Sequence, residues 1–130
     1  VTGSTVAGSV ELRVPASSDA LSLVRLFAAS IGRQLDLADE VVEDMKLALS
    51  EVCAAAIEAA GADDEGLTVE ASWTMDPLDV DIRVSSFAAF STGDPASDDR
   101  ARLLDALGLR PRATDDRRAV EFSLPTSSLR

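Results

Sequence analysis

The stretch DEVVEDMKLALSEVCAAAIEAA, residues 39 to 60, decides how the rest of the chain must be arranged. Val41, Met45, Ala48, Leu49, Val52, Cys53, Ala56 and Ala60 recur with a period of about 3.6 residues, so they share one broad face of a helix. Such a face should pack on a sheet. Asp36 is placed to cap this helix, with Asp39 three residues later in a capping-box-like pair. Asp39, Glu40, Glu43 and Asp44 put negative charge beside the positive end of the helix dipole, and Gly61 supplies the stop. Beside the apolar arc runs a second stripe of Asp44, Leu47, Glu51, Ala55 and Glu58, in which Glu51 and Ala55 stand one turn apart.

Downstream, LTVEASWT alternates with Leu67, Val69, Ala71 and Trp73 on one side, and LDVDIRVS repeats the pattern through Leu78, Val80, Ile82 and Val84. Joined by a Met75–Pro77 turn, the two runs predict an antiparallel hairpin with one apolar and one wet face. Upstream, VELRVP alternates through Val10, Leu12 and Val14 and is a half-buried strand ended by Pro15. Ser17 or Ser18 can cap a helix in which Leu21, Val24, Phe27, Ala28 and Ile31 face inward up to Gly32, with Arg25 outside the stripe. The acidic turn ADDEG reads as a solvated loop without the ligand spacing of an EF-hand. A third helix is expected over Ser97–Leu107 with Ala101, Leu104 and Leu107 inward, stopped by Gly108. RPRAT then predicts a short edge strand, and AVEFSLP a last strand through Val120, Phe122 and Leu124.

This order predicts an α+β two-layer sandwich, a mainly antiparallel sheet with three helices on one face. At 130 residues it is one domain, expected over 10–125 between a flexible N-terminus at 1–9 and a tail at 126–130, with natural ends of the fold on both sides.

Composition removes several functions. Without His there is no Ser-His-Asp or Cys-His arrangement, and one Cys makes no ordinary zinc site. No GxxxxGK[ST] loop is present. Cys53 lies in the apolar arc and reads as a core residue. No apolar run nears the ~20 residues that span a membrane, and VTGSTVAGSV lacks the features of a signal peptide, so the expected setting is cytoplasmic. A net charge of -11 opposes direct binding to nucleic acid or anionic lipid and favours a protein partner with a basic surface.

The segment MKLALSEVCAAAI, and above all LALSEVC, resembles the N-box helix of the RsbW and SpoIIAB type anti-sigma factors. These belong to the GHKL group, relatives of histidine kinases and gyrase-type ATPases. The predicted element order is similar to that Bergerat-like fold from Val10 to Leu124. The bias to Arg and Ala is typical of GC-rich genomes and gives the resemblance an actinobacterial style.

The resemblance implies an ATP pocket whose parts can be compared in turn. In the family the central helix carries a Glu that acts as general base toward a Ser of the substrate protein and, four residues on, an Asn that holds magnesium. Glu51 matches the Glu, but Ala55 stands where the Asn should be, and a methyl group offers a hard cation no oxygen. The family's DxGxG segment falls on VSSFAAF, with Ser85 or Ser86 for the adenine-binding Asp and Ala88, Ala89 or Phe90 for the Gly residues. The Cβ atoms and Phe rings crowd the approach to a base. In the lid region Gly93 stands alone beside Asp94, Asp98 and Asp99, carboxylates that repel a triphosphate.

Three degraded parts imply a scaffold that no longer transfers phosphate, with no cofactor or metal expected. Arg25 falls where the family carries an Arg that contacts its partners. The expectation is therefore an anti-sigma factor that sequesters an alternative sigma factor and is released by an anti-anti-sigma antagonist, with a homodimer by analogy to the family. The alternative is an ATP- and magnesium-dependent serine kinase that uses Glu51 as its base.

Overall fold

Alternation of apolar and polar residues along four runs builds a five-stranded sheet in the order β1-β2-β3-β5-β4, with every neighbouring pair antiparallel. The computed structural model describes residues 7–60, 66–75, 77–86, 95–114, 116 and 118–124. The elements run β1 Gly8–Val14, α1 Ala20–Gln34, α2 Asp39–Ala60, β2 Leu67–Thr74, β3 Asp79–Ser86, α3 Pro95–Ala106, β4 Arg112–Ala113 and β5 Ala119–Ser123. The predicted order and the edge strand at 112–113 are both present.

Register puts the apolar residues of neighbouring strands side by side. Leu12 faces Val69, Val69 faces Val84, Ala71 faces Ile82, and Ile82 faces Phe122. The side chains on this face enter one core with Val24, Ala28 and Ile31 of α1, with Met45, Leu49, Val52, Cys53 and Ala56 of α2, and with Leu104 of α3. Each large side chain buried there contributes roughly 1.5–3 kcal/mol. All three helices therefore share the sheet's apolar face. The other face carries a charged row: Glu11, Glu70, Arg83, Glu121 and Arg112 lie in register across the five strands.

Several helix boundaries differ from the expectation. Gly32 does not end α1, which continues to Gln34. It is buried where α1 crosses α2, and a Cβ there would stand 2.4 Å from Cγ2 of Val42. Glycine is needed for close approach, not as a stop. The stop is Asp36, which has a left-handed φ of 55°. The Asp36 amide donates to the Arg33 carbonyl and the Leu37 amide to the Gly32 carbonyl, the paired bonds of a Schellman motif. Asp36 thus closes α1 and does not cap α2, whose first residue is Asp39. At the other end of α1 the N-cap is Asp19, not Ser17 or Ser18, and it makes no side-chain capping bond.

In α3 the helix begins at Pro95, and Ala101 is exposed, not inward. Proline suits the first turn, where its missing N–H would have had no intrahelical partner. Leu104 is buried, with Arg100, Leu103 and Leu107 partly buried on the same side. As expected, Gly108 ends this helix, at φ 78°, with the Leu109 amide donating to the Leu104 carbonyl at 3.1 Å. Gly61, residues 62–65 of the acidic turn, and the Gly93 and Asp94 of the lid region lie outside the described residues.

Candidate functional site

The second stripe of α2 forms because residues one turn apart stack on one side of a helix. Val52, Cys53 and Ala56 turn into the core, which leaves Glu51 and Ala55 half-buried and Glu58 exposed along the flank. Across from them stands Arg100 of α3, whose side chain is 19% exposed. Its Nη2 donates to Oε2 of Glu58 at 2.8 Å, and its Nε lies 3.6 Å from Oε1 of Glu51. That Nε is buried and has no hydrogen-bond partner. Glu51 and Glu58 are seven residues apart, with Ala55 between them on the same stripe. The Arg100 guanidinium therefore pairs with the two carboxylates that stand before and after Ala55 in the stripe.

Sequence reasoning missed Arg100 because it set the helix phase one residue late. With Ala101 taken as inward, Arg100 falls to the side; moving the apolar stripe to Leu103, Leu104 and Leu107 brings Arg100 inward at four residues before Leu104. The available signal was the pair of glutamates two turns apart on α2, a spacing that asks for a cation between them.

The other expected site residues lie elsewhere. Ser85 and Ser86 end β3, opposite Thr68 and Leu67 of β2. Ser86 is buried, and its amide donates to the Arg118 carbonyl at 2.7 Å. With Arg13, Val14, Gly66, Leu67 and Thr68 the two serines line a cleft of about 450 Å³. Among the described residues that line this cleft none belongs to α2, so Glu51 is not one of them. Ala88 lies outside the described residues.

Arg25 projects from α1 and is exposed; its Nε donates to Oγ of Ser50 on α2 at 3.2 Å. This bond holds the guanidinium beside the residue that precedes Glu51. The α1–α2 pair also leaves Leu23, Leu26 and Leu47 at 48%, 66% and 41% exposure, Leu47 standing one turn before Ser50. Exposed leucines and an anchored arginine together give the outer surface of this helix pair a mixed apolar and cationic character.

The features of the flank do not suit a magnesium ion. Ala55 supplies no donor oxygen, and the Arg100 guanidinium already stands between the two carboxylates that remain. Among the described residues no group of three or more His, Cys, Asp or Glu side chains is arranged to hold a metal. Among the same residues no helix is long and apolar enough to cross a membrane. Burial pushes the Cys53 thiol up to about 12, which leaves it without nucleophilic character near neutral pH.

A three-helix layer on an antiparallel sheet, with the N-box-like helix across it, agrees with a family match. The profile of the histidine kinase-like ATPase domain matches residues 14–117. The chain belongs to this family. Among its relatives are the serine-protein kinases RsbW of Bacillus thuringiensis (strain Al Hakam) and Bacillus cereus (strain B4264), each 32% identical over 57 residues. That stretch is 44% of this chain and 36% of each relative, so the similarity spans about a third of their length. In fold, the histidine kinase-like domain is similar to a crystal structure of the RsbU and RsbW domains of Rv1364c from Mycobacterium tuberculosis. There the TM-score is 0.63 at 18% identity, over 90% of this chain and 31% of that one.

Proposed function

We propose that this histidine kinase-like domain is a partner-binding regulator, an anti-sigma factor of the RsbW type that sequesters an alternative sigma factor without transferring phosphate. An anti-anti-sigma antagonist, competing for an overlapping surface, releases the sigma factor. The observation that carries the reading is the outer surface of the α1–α2 pair, where Arg25 is anchored to Ser50 and Leu23, Leu26 and Leu47 are exposed. Arginine is one of the residue types enriched at protein–protein hot spots, and the exposed leucines add apolar area that a partner can cover. A net charge of -11 favours a basic partner, such as a DNA-binding protein, and speeds its approach.

A serine kinase is the second reading, favoured by the names of the relatives and by the retained Glu51. Against it stand the missing oxygen at Ala55 and the cation already seated beside Glu51. Co-purification from the native cell, followed by identification of the bound chain, tests the proposal. Recovery of a sigma factor supports it. Recovery of unrelated proteins alone, with no sigma factor bound at low salt, refutes it.

A further inference from the structure

Arg100 raises a question that partner binding does not answer: why two glutamates on the flank of α2 have a half-buried arginine between them. A planar guanidinium carries donors in a fixed fork and keeps its charge at every accessible pH. Here one arm bonds Glu58 at 2.8 Å while Nε approaches Glu51 at 3.6 Å. The glutamates stand seven residues apart, about 10 Å along the helix axis, so their side chains must converge on the guanidinium from either side of Ala55. The short methyl of Ala55 leaves that space open. A longer side chain at this position would stand in the path of the arginine.

We propose that Arg100 is a built-in cation that takes the place of a bound metal, latching α3 onto α2 over Ala55. Among the described residues, the pairs Arg100–Glu51 and Arg100–Glu58 are ion pairs that join the two helices. Opening it leaves a half-buried guanidinium and two carboxylates without their partners, which costs more than breaking a fully solvated pair. A divalent cation offered to this flank would have to expel the guanidinium and would gain no oxygen from Ala55 in return. The unsatisfied Nε limits how tightly the latch holds, since one of its donors finds no acceptor within bonding distance. The latch involves α2 and α3 alone and stands whether or not the α1 surface binds a sigma factor.

Amide hydrogen exchange on the full chain tests this directly. Arg100→Gln and Glu58→Gln should each speed exchange in α3 by about fivefold, and the double variant should speed it no more than either single one. Ala55→Asn, which crowds the guanidinium, should loosen α3 to a similar extent. Amides of the central strands β2 and β3 should stay at wild-type protection in all four, which separates local opening from general unfolding. If Arg100→Gln disturbs those strands as well, the milder Glu58→Gln decides. Unchanged α3 protection in Glu58→Gln, effects that add in the double variant, or α3 protection that rises when magnesium chloride alone is added to the wild type would each overturn the latch.

Discussion

Gly32→Ala should destabilise this protein although it removes a glycine from a helix interior. The added Cβ would stand 2.4 Å from Cγ2 of Val42, 3.3 Å from Cγ1 and 3.4 Å from Cβ. Carbon atoms in contact prefer about 3.5–4.0 Å, so the overlap exceeds about 1 Å. Turning Val42 does not relieve it, because a β-branched side chain in a helix has one strongly favoured rotamer and rotation exchanges one methyl for another. The helices must separate instead, at an overpacking cost of about 1–3 kcal/mol, against a propensity gain of about 1 kcal/mol. The net expectation is a loss of about 1 kcal/mol. In a Val42→Ala background the obstructing methyls are gone, and the same Gly32→Ala change should stabilise by about 1 kcal/mol. Urea denaturation of the four proteins, at matched m-values, measures both changes. A raised midpoint for Gly32→Ala in the wild-type background, equal to that in the Val42→Ala background, would refute the close helix crossing.

Cys53 gives a pH signature. With its thiol pushed up to about 12 in the folded protein, against an ordinary value of 9.0, its contribution is complete below pH 9 and is lost as pH climbs toward 12. Stability should fall by about 1.4 kcal/mol per pH unit above pH 9. The chain has no Tyr and one Lys, so few other groups titrate there. Cys53→Ala should abolish most of this slope in urea midpoints between pH 8 and 10.5, and an unchanged slope would exclude Cys53 as its source. At the proposed partner surface, Arg25→Glu should weaken sigma-factor binding by about 10- to 100-fold with no loss of thermal stability, because the exposed Arg25 side chain is tied down, among the described residues, by a bond to the Ser50 hydroxyl. Binding measured by interferometry at wild-type strength would remove Arg25 from the interface.

Much of this architecture is legible in the sequence because its signals are periodic. Period-two alternation in 67–74 and 79–86 leaves one register that buries every apolar residue, and the long arc of α2 has one orientation that covers them. The errors fall where a single residue serves a tertiary purpose. Gly32 looks like a stop because glycine often ends helices, yet its role is set by Val42, a residue of the following helix. Asp36 looks like a cap, yet it accepts the left-handed conformation that ends α1. Of the candidate site, Glu51, Ala55 and Arg25 stand out in the sequence through the resemblance, but Arg100, the ion-pair partner of Glu51, does not. Arg100 lies 49 residues away on a helix with few apolar residues, where a phase error of one position turns a half-buried arginine into a solvated one.

Calorimetric titration of the full chain with ATP and magnesium bears most directly on the claim that this family member binds partners without handling nucleotide. Ala55 and the seated Arg100 guanidinium lead to an expected absence of binding heat up to about 1 mM nucleotide. Micromolar binding, followed by transfer of phosphate to a serine of the antagonist, would contradict it.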